Sequence, residues 1–342
     1  MSIVADDPPS TALVPPLRDV FGAAVAALAD EDPRILLLDA DVGNSTRADI
    51  FSDAHPDRYL PMGIAEQNMI GVAAGLAAVG FVPFATTFAV FAAKRSLDQI
   101  RVLVAQPQLP VKIAVGYTGL LTGMTGRTHQ VVEDVAIMRA MPNMVIIDPA
   151  DATEMTAAVR ACVEYPGPVY LRVYRERTAR IFDDSYEFKL GVAKVLRQGR
   201  DITLISSGPQ TGRVLAAADL LAAHGVDAWV LHVPTLKPID EVAIAAAAAA
   251  TNLVVTIEEH SILGGLGGAV AEILSEVRPT RVHRIGLRDV FGESGPNDAL
   301  LEKYGLSAQR VAAQVLEILQ RSNAGRRRRG NGSNNPPREV RQ

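Results

Sequence analysis

Residues 63–91 read GIAEQNMIGVAAGLAAVGFVPFATTFAVF, and this stretch fixes how the first half of the chain folds. Residues 69–93 contain no charged side chain over 25 positions, which is long enough to cross a membrane. Gly80 and Pro83 interrupt the run, so we interpret it as a buried helix with Glu66 in its first turn, a glycine turn and a buried strand. Elements this apolar predict a core on both faces of a sheet.

Short β-branched runs alternate with Ala- and Leu-rich stretches along the rest of the chain. This alternation is typical of parallel sheets covered by helices on both faces. We therefore predict an α/β protein with a parallel-sheet domain over 12–184 and a smaller α/β domain over 185–320, because apolar periodicity lapses in 175–189 for longer than an ordinary loop. The predicted strands are 35–38, 82–85, 111–115, 145–147 and 169–173 in the first domain, and 202–206, 228–233, 253–257 and 281–285 in the second.

Composition limits the classes of protein to be considered. The chain has 342 residues, 48% of them hydrophobic, and a formal charge of −4. Residues 321–342 hold seven arginines and one glutamate, so this tail carries +6 and the first 320 residues carry −10, which argues against a folded nucleic-acid binder. The Gly, Asn, Ser and Pro content of the tail predicts disorder.

The cysteine count and the first residues of the chain indicate the cellular compartment. Cys162 is the only cysteine, which excludes a disulfide or a cysteine-built metal site within the chain. Residues 1–16 lack the basic flank and apolar run of a signal peptide. We therefore expect a cytoplasmic protein without a membrane span.

Three segments carry candidate functional residues. A glutamate at the start of a helix ordinarily complements the helix dipole, but the buried segment that follows Glu66 places it at an interior or interface edge. Phe88 and Phe91 either pack in the core or form a platform for a flat ring. His129 ends the Gly/Thr-rich loop 116–130 after a buried strand. Because parallel α/β sheets bind ligands at the carboxyl ends of their strands, we interpret His129 as an acid/base or hydroxyl-binding group.

Taken together, these motifs resemble the C-terminal half of transketolase, from about residue 15 to residue 318. The resemblance implies a thiamine-diphosphate-binding (pyrimidine) domain followed by a smaller transketolase C-terminal domain. The matching residues, in the same order and spacing, are 63–68, Thr87-Phe88 with Phe91, 128–130 with Glu133-Asp134 and Met138-Arg139, and Glu258-Glu259-His260 before the glycines of 264–267.

The resemblance assigns a role to each matching residue. Glu66 matches the glutamate that hydrogen-bonds the aminopyrimidine ring of thiamine diphosphate, so that a ring nitrogen can deprotonate the thiazolium carbon. His129 matches a histidine that contacts the donor sugar, so Glu66 and His129 are the expected catalytic residues. Phe88 and Phe91 match the aromatics that stack on the pyrimidine. The other expected site residues are Asp41 and Ile64 for the cofactor, and Ser45, Arg175, Thr125 and Tyr117 for the substrate.

Three positions depart from the family pattern, and all of them concern the substrate. Lys94 stands where a third aromatic is expected, Thr125 where the family has an aspartate, and Tyr117 where it has a second phosphate-contacting histidine. Arg175 matches the arginine that grips the acceptor phosphate, a role that suits its planar donor fork. The sugars are therefore left open, and an unusual or less phosphorylated substrate fits these changes.

The sequence contains no Gly-Asp-Gly segment with a downstream Asn, which holds magnesium and the diphosphate in this family. The resemblance therefore implies a partner α subunit that carries Mg²⁺ and the diphosphate, in an α2β2 assembly. We predict the β subunit of a split transketolase, which transfers a two-carbon ketol unit between sugars or sugar phosphates.

Other functions are open from the sequence alone. The β subunit of the decarboxylating component of a 2-oxoacid dehydrogenase shares both domains and the glutamate, but residues 86–91 and 128–130 resemble transketolase more. Deoxyxylulose-phosphate synthase is also similar, although there both halves normally occupy one chain. A non-catalytic assembly subunit would have no need of Glu66, Phe88 and His129.

Overall fold

The structure is a computed structural model that describes residues 13–330, with side chains described as far as residue 322. It contains twelve strands in that range, arranged in two sheets. The strands are β1 Ile35–Asp39, β2 Tyr59–Pro61, β3 Val82–Phe88, β4 Lys112–Gly116, β5 Val145–Ile147, β6 Val169–Arg172, β7 Lys194–Arg197, β8 Ile202–Ser206, β9 Ala228–His232, β10 Thr235–Lys237, β11 Leu253–Ser261 and β12 Arg281–Leu287.

Helices connect most of the strands. A π-helical turn over Ile100–Ala105 continues the sixth helix, Leu97–Gln99. The helices are α1 Leu17–Glu31, α2 Gly43–Thr46, α3 Ala48–Ala54, α4 Glu66–Ala78, α5 Ala89–Lys94, α6 Leu97–Gln99, α7 Asp134–Arg139, α8 Ala152–Glu164, α9 Gln210–Ala222, α10 Glu241–Thr251, α11 Leu266–Val277, α12 Asn297–Lys303 and α13 Ala308–Gly330. None of these helices is both long enough and apolar enough to cross a membrane.

The first sheet has the strand order β10-β5-β6-β4-β3-β1-β2, and the second has the order β12-β11-β8-β9-β7. Neighbouring strands are parallel except at two edges, where β10 runs antiparallel to β5 and β7 runs antiparallel to β9. The prediction of parallel α/β sheets is confirmed, but the two antiparallel edge strands were missed. A three- or four-residue strand with a lysine and an irregular register gives too little apolar alternation to be recognised.

The first sheet includes one strand from the second predicted domain. β10 follows β9 of the second sheet along the chain but pairs with β5 of the first, so the first sheet is not built from residues 12–184 alone. The predicted boundary at 184/185 lies between β6 and β7 and stays a prediction. The predicted disordered tail, 321–342, begins inside α13, because arginine is a good helix former and extends the preceding amphipathic turns; residues 331–342 lie outside the described range.

Three layers of apolar side chains hold the sheets and helices together. The first fills the face of the first sheet covered by α1 and α8, with Phe21 and Phe84 at its centre. The second lies between the two sheets and includes α4, which contributes Met69 and Ile70. The third packs α9 and α13 on the far face of the second sheet. The two sheets thus share one apolar layer, and the second sheet packs against one face of the first.

The stretch 63–91 folds as the sequence predicts. Helix α4 begins at Glu66 and is followed by Gly80, whose φ of +100° favours glycine. Strand β3 then runs between β1 and β4, fully buried along its length, and ends at Phe88. This arrangement carries Glu66 and Phe88 to the same edge of the first sheet.

Candidate active site

The predicted site residues gather at one edge of the first sheet. Strands β1, β3, β4 and β6 are adjacent and parallel, so their carboxyl ends meet there. Ser45 follows β1, Phe88 ends β3, Tyr117 follows β4 and Arg175 follows β6. Four separate segments therefore converge at the carboxyl ends of these strands, a place here called the cleft, as is usual for ligand sites of α/β sheets.

Glu66 lies at the rim of this cleft with its side chain only 5% exposed. Its Oε1 accepts a hydrogen bond from Nη1 of Arg95 at 3.0 Å. The backbone carbonyl of Arg95 in turn accepts a hydrogen bond from Nε2 of Gln67 at 2.9 Å. Glu66 is thus a buried carboxylate whose described partner is a half-exposed arginine, so it faces the cleft rather than the core.

An aromatic cluster forms the floor of the cleft, made of Phe88, Phe91, Tyr117 and His129. The rings of Phe88 and Tyr117 are stacked, with centroids 4.0 Å apart and planes 6° apart. The imidazole of His129 meets the rings of Phe88 and Phe91 edge-on, at 5.7 and 5.8 Å. Two interpretations were left open for Phe88 and Phe91, packing in the core and a platform for a ring. Phe88 is buried and stacks on Tyr117, as core packing predicts, whereas Phe91 is half-buried with the guanidinium of Arg95 over its ring, so the platform stays a prediction.

A planar group fits between Phe91 and Glu66. The guanidinium carbon of Arg95 lies 3.9 Å from the centroid of the Phe91 ring, while Nη1 of the same group donates to Glu66. One face of the ring and one carboxylate oxygen therefore hold a flat hydrogen-bond donor. The aminopyrimidine of thiamine diphosphate needs the same two contacts, so the residues present fit this cofactor.

A second set of side chains, here called the cationic edge, consists of Arg18, Ser45, Tyr117 and Arg175. The hydroxyl of Tyr117 donates to Oγ of Ser45 at 3.4 Å and accepts a hydrogen bond from Nη1 of Arg175. Nη1 of Arg18 donates to the carbonyl oxygen of Ser45 at 3.0 Å. Burial, followed by repulsion from Arg175, lowers the pKa of Arg18. Two arginines close to one hydroxyl pair make this edge suited to an anionic or polyhydroxylated ligand.

Arg18 was not predicted as a site residue, because an arginine in the first turn of a helix normally faces solvent. Asp39 was missed as well. Its buried carboxylate accepts hydrogen bonds from the amides of Val42 and Gly43, at 3.1 and 3.0 Å, and from the hydroxyls of Tyr59 and Thr86 at 3.1 Å. Burial raises the pKa of Asp39. Asp39 therefore holds in place the loop that carries Ser45.

Asp41 and Ile64, both predicted near the cofactor, lie exposed at the rim. Asp41 has a φ of +61°, which the loop held by Asp39 imposes on it. Ile64 is 71% exposed and lies two residues before Glu66. Neither side chain has a described contact with the aromatic cluster, so their expected roles stay predictions.

The loop that carries His129 is fixed by its own backbone and by the second sheet. Thr125, a predicted substrate residue, donates its hydroxyl to the carbonyl of Thr122 at 2.7 Å, which turns it into the loop. Oγ1 of Thr128 lies 2.9 Å from Nδ1 of His129. Glu259 of β11 accepts hydrogen bonds from the amides of Leu120 and Leu121, and Oδ1 of Asn297 accepts one from the amide of Gly123.

Behind the loop lies a buried network of charged groups. Asp134, Glu258 and Glu259 belong to motifs named from the sequence, but their contacts were not predicted. Arg172 is paired with Asp134 and Asp148, each at 3.1 Å, and all three side chains are at most 3% exposed. Burial raises the pKa of Glu258 to about 8 and that of Glu259 to about 7. The partners lie far apart in the sequence, so no local motif signals the network.

Among residues with described side chains, no three or more His, Cys, Asp or Glu groups are placed so as to hold a metal ion. A depression of about 370 Å³ opens beside the cationic edge, lined by Leu121, Arg175, Glu176, Arg177 and Asn297. It leads from solvent towards Arg175 and provides space for a ligand of sugar size.

Comparisons with known proteins agree with this architecture. The family described as "Transketolase, pyrimidine binding domain" matches residues 15–180, and the family described as "Transketolase, C-terminal domain" matches residues 191–311. A solved structure titled "Split gene transketolase, inactive beta4 tetramer" is 46% identical, with a TM-score of 0.84 over 90% of this chain and 99% of that one.

Two curated relatives differ in how much of their own length is matched. The 6-deoxy-6-sulfo-D-fructose transketolase subunit SqwH of Clostridium sp. (strain MSTE9) is 42% identical over 90% of this chain and 95% of the subunit. The 1-deoxy-D-xylulose-5-phosphate synthase of Pelotomaculum thermopropionicum (strain DSM 13744 / JCM 10971 / SI) is 37% identical over 89% of this chain but only 48% of the synthase. The chain thus corresponds to a whole subunit in one case and to half an enzyme in the other.

Proposed function

The chain belongs to the transketolase family, as the β subunit of a split transketolase, and from this premise we propose how its residues act with thiamine diphosphate, a partner chain and sugar substrates. The observation that carries the proposal is that one planar group, the guanidinium of Arg95, lies over the ring of Phe91 and donates to the buried carboxylate of Glu66. The bound coenzyme supplies a nucleophilic carbon that stores the two-carbon unit between the two half-reactions.

Glu66 is proposed to hold a proton at a nitrogen of the pyrimidine ring. Its position at the rim, 5% exposed, keeps water from competing for the carboxylate. Phe91 and Phe88 keep the ring plane fixed relative to Glu66. His129 lies in edge contact with both rings, so its exposed side is available for a hydroxyl of the donor sugar.

The cationic edge is proposed to bind the acceptor. Arg175 is exposed at the depression described above, and Tyr117 and Ser45 add hydroxyl groups beside it. Arg18 contributes a second positive charge from α1. This arrangement fits a sugar or sugar phosphate that presents an anionic or hydroxylated end to the arginines. The asymmetry of the site, carboxylate at one side and arginines at the other, orients the substrate.

A partner α subunit is proposed to hold Mg²⁺ and the diphosphate, in an α2β2 assembly. The sequence lacks the segment that binds them in this family, and Glu66 with Phe91 can hold only the pyrimidine end. Large apolar side chains are exposed around the cleft, including Ile64 at 71% and Met124 at 76%. Such side chains favour burial at an obligate interface. We also place the chain in the cytoplasm, as its single buried cysteine suggests.

Reconstitution tests the proposal. The chain should be mixed with candidate diphosphate-binding subunits, thiamine diphosphate and Mg²⁺, and ketol transfer between sugars should be measured by product analysis. We expect transfer from the mixture and none from either chain alone. Acyl transfer to a lipoyl group would instead identify a 2-oxoacid dehydrogenase component, and a stable complex that binds no thiamine diphosphate would contradict the proposal.

A further inference from the structure

Arg95 occupies the place in which the pyrimidine ring of the coenzyme is proposed to bind. Its guanidinium is planar, lies 3.9 Å from the centroid of the Phe91 ring and donates to Oε1 of Glu66 at 3.0 Å. An aminopyrimidine held between the same ring and the same carboxylate would need the same space. The guanidinium and the pyrimidine therefore cannot both be there.

The backbone of Arg95 is held by hydrogen bonds, while its side chain reaches solvent. The amide of Arg95 donates to the carbonyl of Phe91 at 2.8 Å, and its carbonyl accepts from Nε2 of Gln67 at 2.9 Å. The side chain is 50% exposed, in contrast to the 5% of Glu66. Rotation of the side chain towards solvent thus needs no change in the fold.

We propose that Arg95 is a placeholder for the coenzyme: in the chain without thiamine diphosphate its guanidinium covers Phe91 and Glu66, and the coenzyme must displace it to bind. The inference rests on the proposed function, since it uses the pyrimidine contacts of Glu66 and Phe91. It adds a competing group to the site. It also explains why the buried carboxylate of Glu66 has a charged partner before assembly.

The energetic scale of the displacement is small. Half of the Arg95 side chain is exposed, so its ion pair with the buried Glu66 and its cation–π contact with Phe91 should each be modest. Together they should reduce the affinity for the coenzyme by about 3- to 30-fold. An effect of this size delays cofactor binding without preventing it.

The test measures the dissociation constant of thiamine diphosphate by calorimetry, with the full chain assembled with its partner and Mg²⁺. Arg95→Met should bind the coenzyme about 3- to 30-fold more tightly than the wild type. Arg95→Lys retains the charge but not the planar group, so its affinity should lie between the two. Arg160→Met is the matched control, because it removes another Arg–Glu pair at 3.0 Å, with Glu31, on the opposite face of the sheet. It should leave the affinity unchanged.

The outcomes separate this inference from the proposed function. If the wild-type assembly binds no thiamine diphosphate, the proposed function fails. If it binds the coenzyme and Arg95→Met binds equally or more weakly, the placeholder is overturned while the function stands. Should Arg95→Met not assemble, thermal unfolding of the isolated chain with Glu66→Ala, Arg95→Met and both changes decides, because each single change removes the contact: additive shifts in Tm would show that the pair does not form and would overturn the inference.

Discussion

Oε1 of Glu259 accepts a hydrogen bond from the backbone amide of Leu120 at 2.8 Å, and this contact joins the second sheet to the loop that carries His129. The same oxygen accepts the amide of Leu121 at 3.1 Å. A carboxylate of the smaller domain thus satisfies two buried N–H groups of the active-site loop. The C-terminal domain contributes to the site by positioning this loop.

Removal of that carboxylate should disturb the loop. We expect Glu259→Ala to lower the free energy of unfolding by about 1–3 kcal/mol, because it leaves two buried amides unpaired. Glu259→Gln retains an acceptor oxygen and should cost less. Denaturant unfolding of the isolated chain measures the difference. Equal stability of the alanine and glutamine variants would show that the hydrogen bonds to Leu120 and Leu121 do not matter.

The buried glutamates should make stability depend on pH. Burial raises the pKa of Glu258 to about 8 and that of Glu259 to about 7, both above the ordinary value of 4.5, so the folded chain retains protons that the unfolded chain releases. The stability they contribute is complete below the unfolded pKa and is lost as the pH rises through the folded values.

The range from pH 6.5 to 8.5 contains both raised pKa values, so this dependence can be measured there. Burial lowers the pKa of His260 below 6.5, so its folded form takes up few protons in this window, while its unfolded form gives up its remaining protons near the lower end and offsets only part of the fall. The free energy of unfolding of the wild type should fall across the window by about 1 kcal/mol or more. Glu258→Gln should flatten the fall. A wild-type curve that rises with pH would contradict the assignment.

How much of this could be read from the sequence differs between fold and site. Strands such as Val145–Ile147 and Ile202–Ser206 were predicted to the residue, since buried parallel strands are continuous apolar runs. The transketolase resemblance is confirmed by the family matches. Strand β10 was missed, because whether Thr235–Lys237 pairs with the first or the second sheet depends on tertiary contacts.

Site residues were predictable where they lie in a motif and not where they act through distant partners. Glu66 and His129 belong to recognisable segments, whereas Arg95 looks like a solvent-facing charge at the end of a helical turn. The pairing of Arg172 with Asp134 joins positions 38 residues apart, and that of Glu259 with Leu120 joins positions 139 apart. Such contacts are known only once the sheets are assembled.

Gly119 should be intolerant of a side chain. Its φ is +69°, and a Cβ atom there would lie 2.4 Å from Oε1 of Glu259. We expect Gly119→Ala to lower the free energy of unfolding by about 1–3 kcal/mol, through backbone strain and the loss of the Glu259 contact. Gly75→Ala is the control, because Gly75 lies in α4 with open space around it and should gain up to about 1 kcal/mol. Equal effects of the two substitutions would refute the close approach.

If the cationic edge binds the acceptor, a substitution in it should change the KM for the acceptor more than kcat. Arg175→Met in the assembled enzyme should raise the KM for a phosphorylated acceptor by about tenfold or more with a smaller change in kcat, because it removes a charged hydrogen-bond donor. Arg34→Met, which removes an exposed pair with Asp32, should leave KM unchanged. Steady-state kinetics at varied acceptor concentration provides the values. A loss in kcat alone would place Arg175 outside the acceptor site.

The most direct test of the account is the ketol-transfer rate of the assembled enzyme with Glu66→Ala, compared with the wild type at saturating thiamine diphosphate and Mg²⁺. We predict a loss of roughly 100-fold or more, since Glu66 is the carboxylate that pairs with the group lying over the Phe91 ring and is therefore placed to hold the pyrimidine proton. A Glu66→Ala enzyme that retains the full wild-type rate would contradict the central claim that this carboxylate activates the coenzyme.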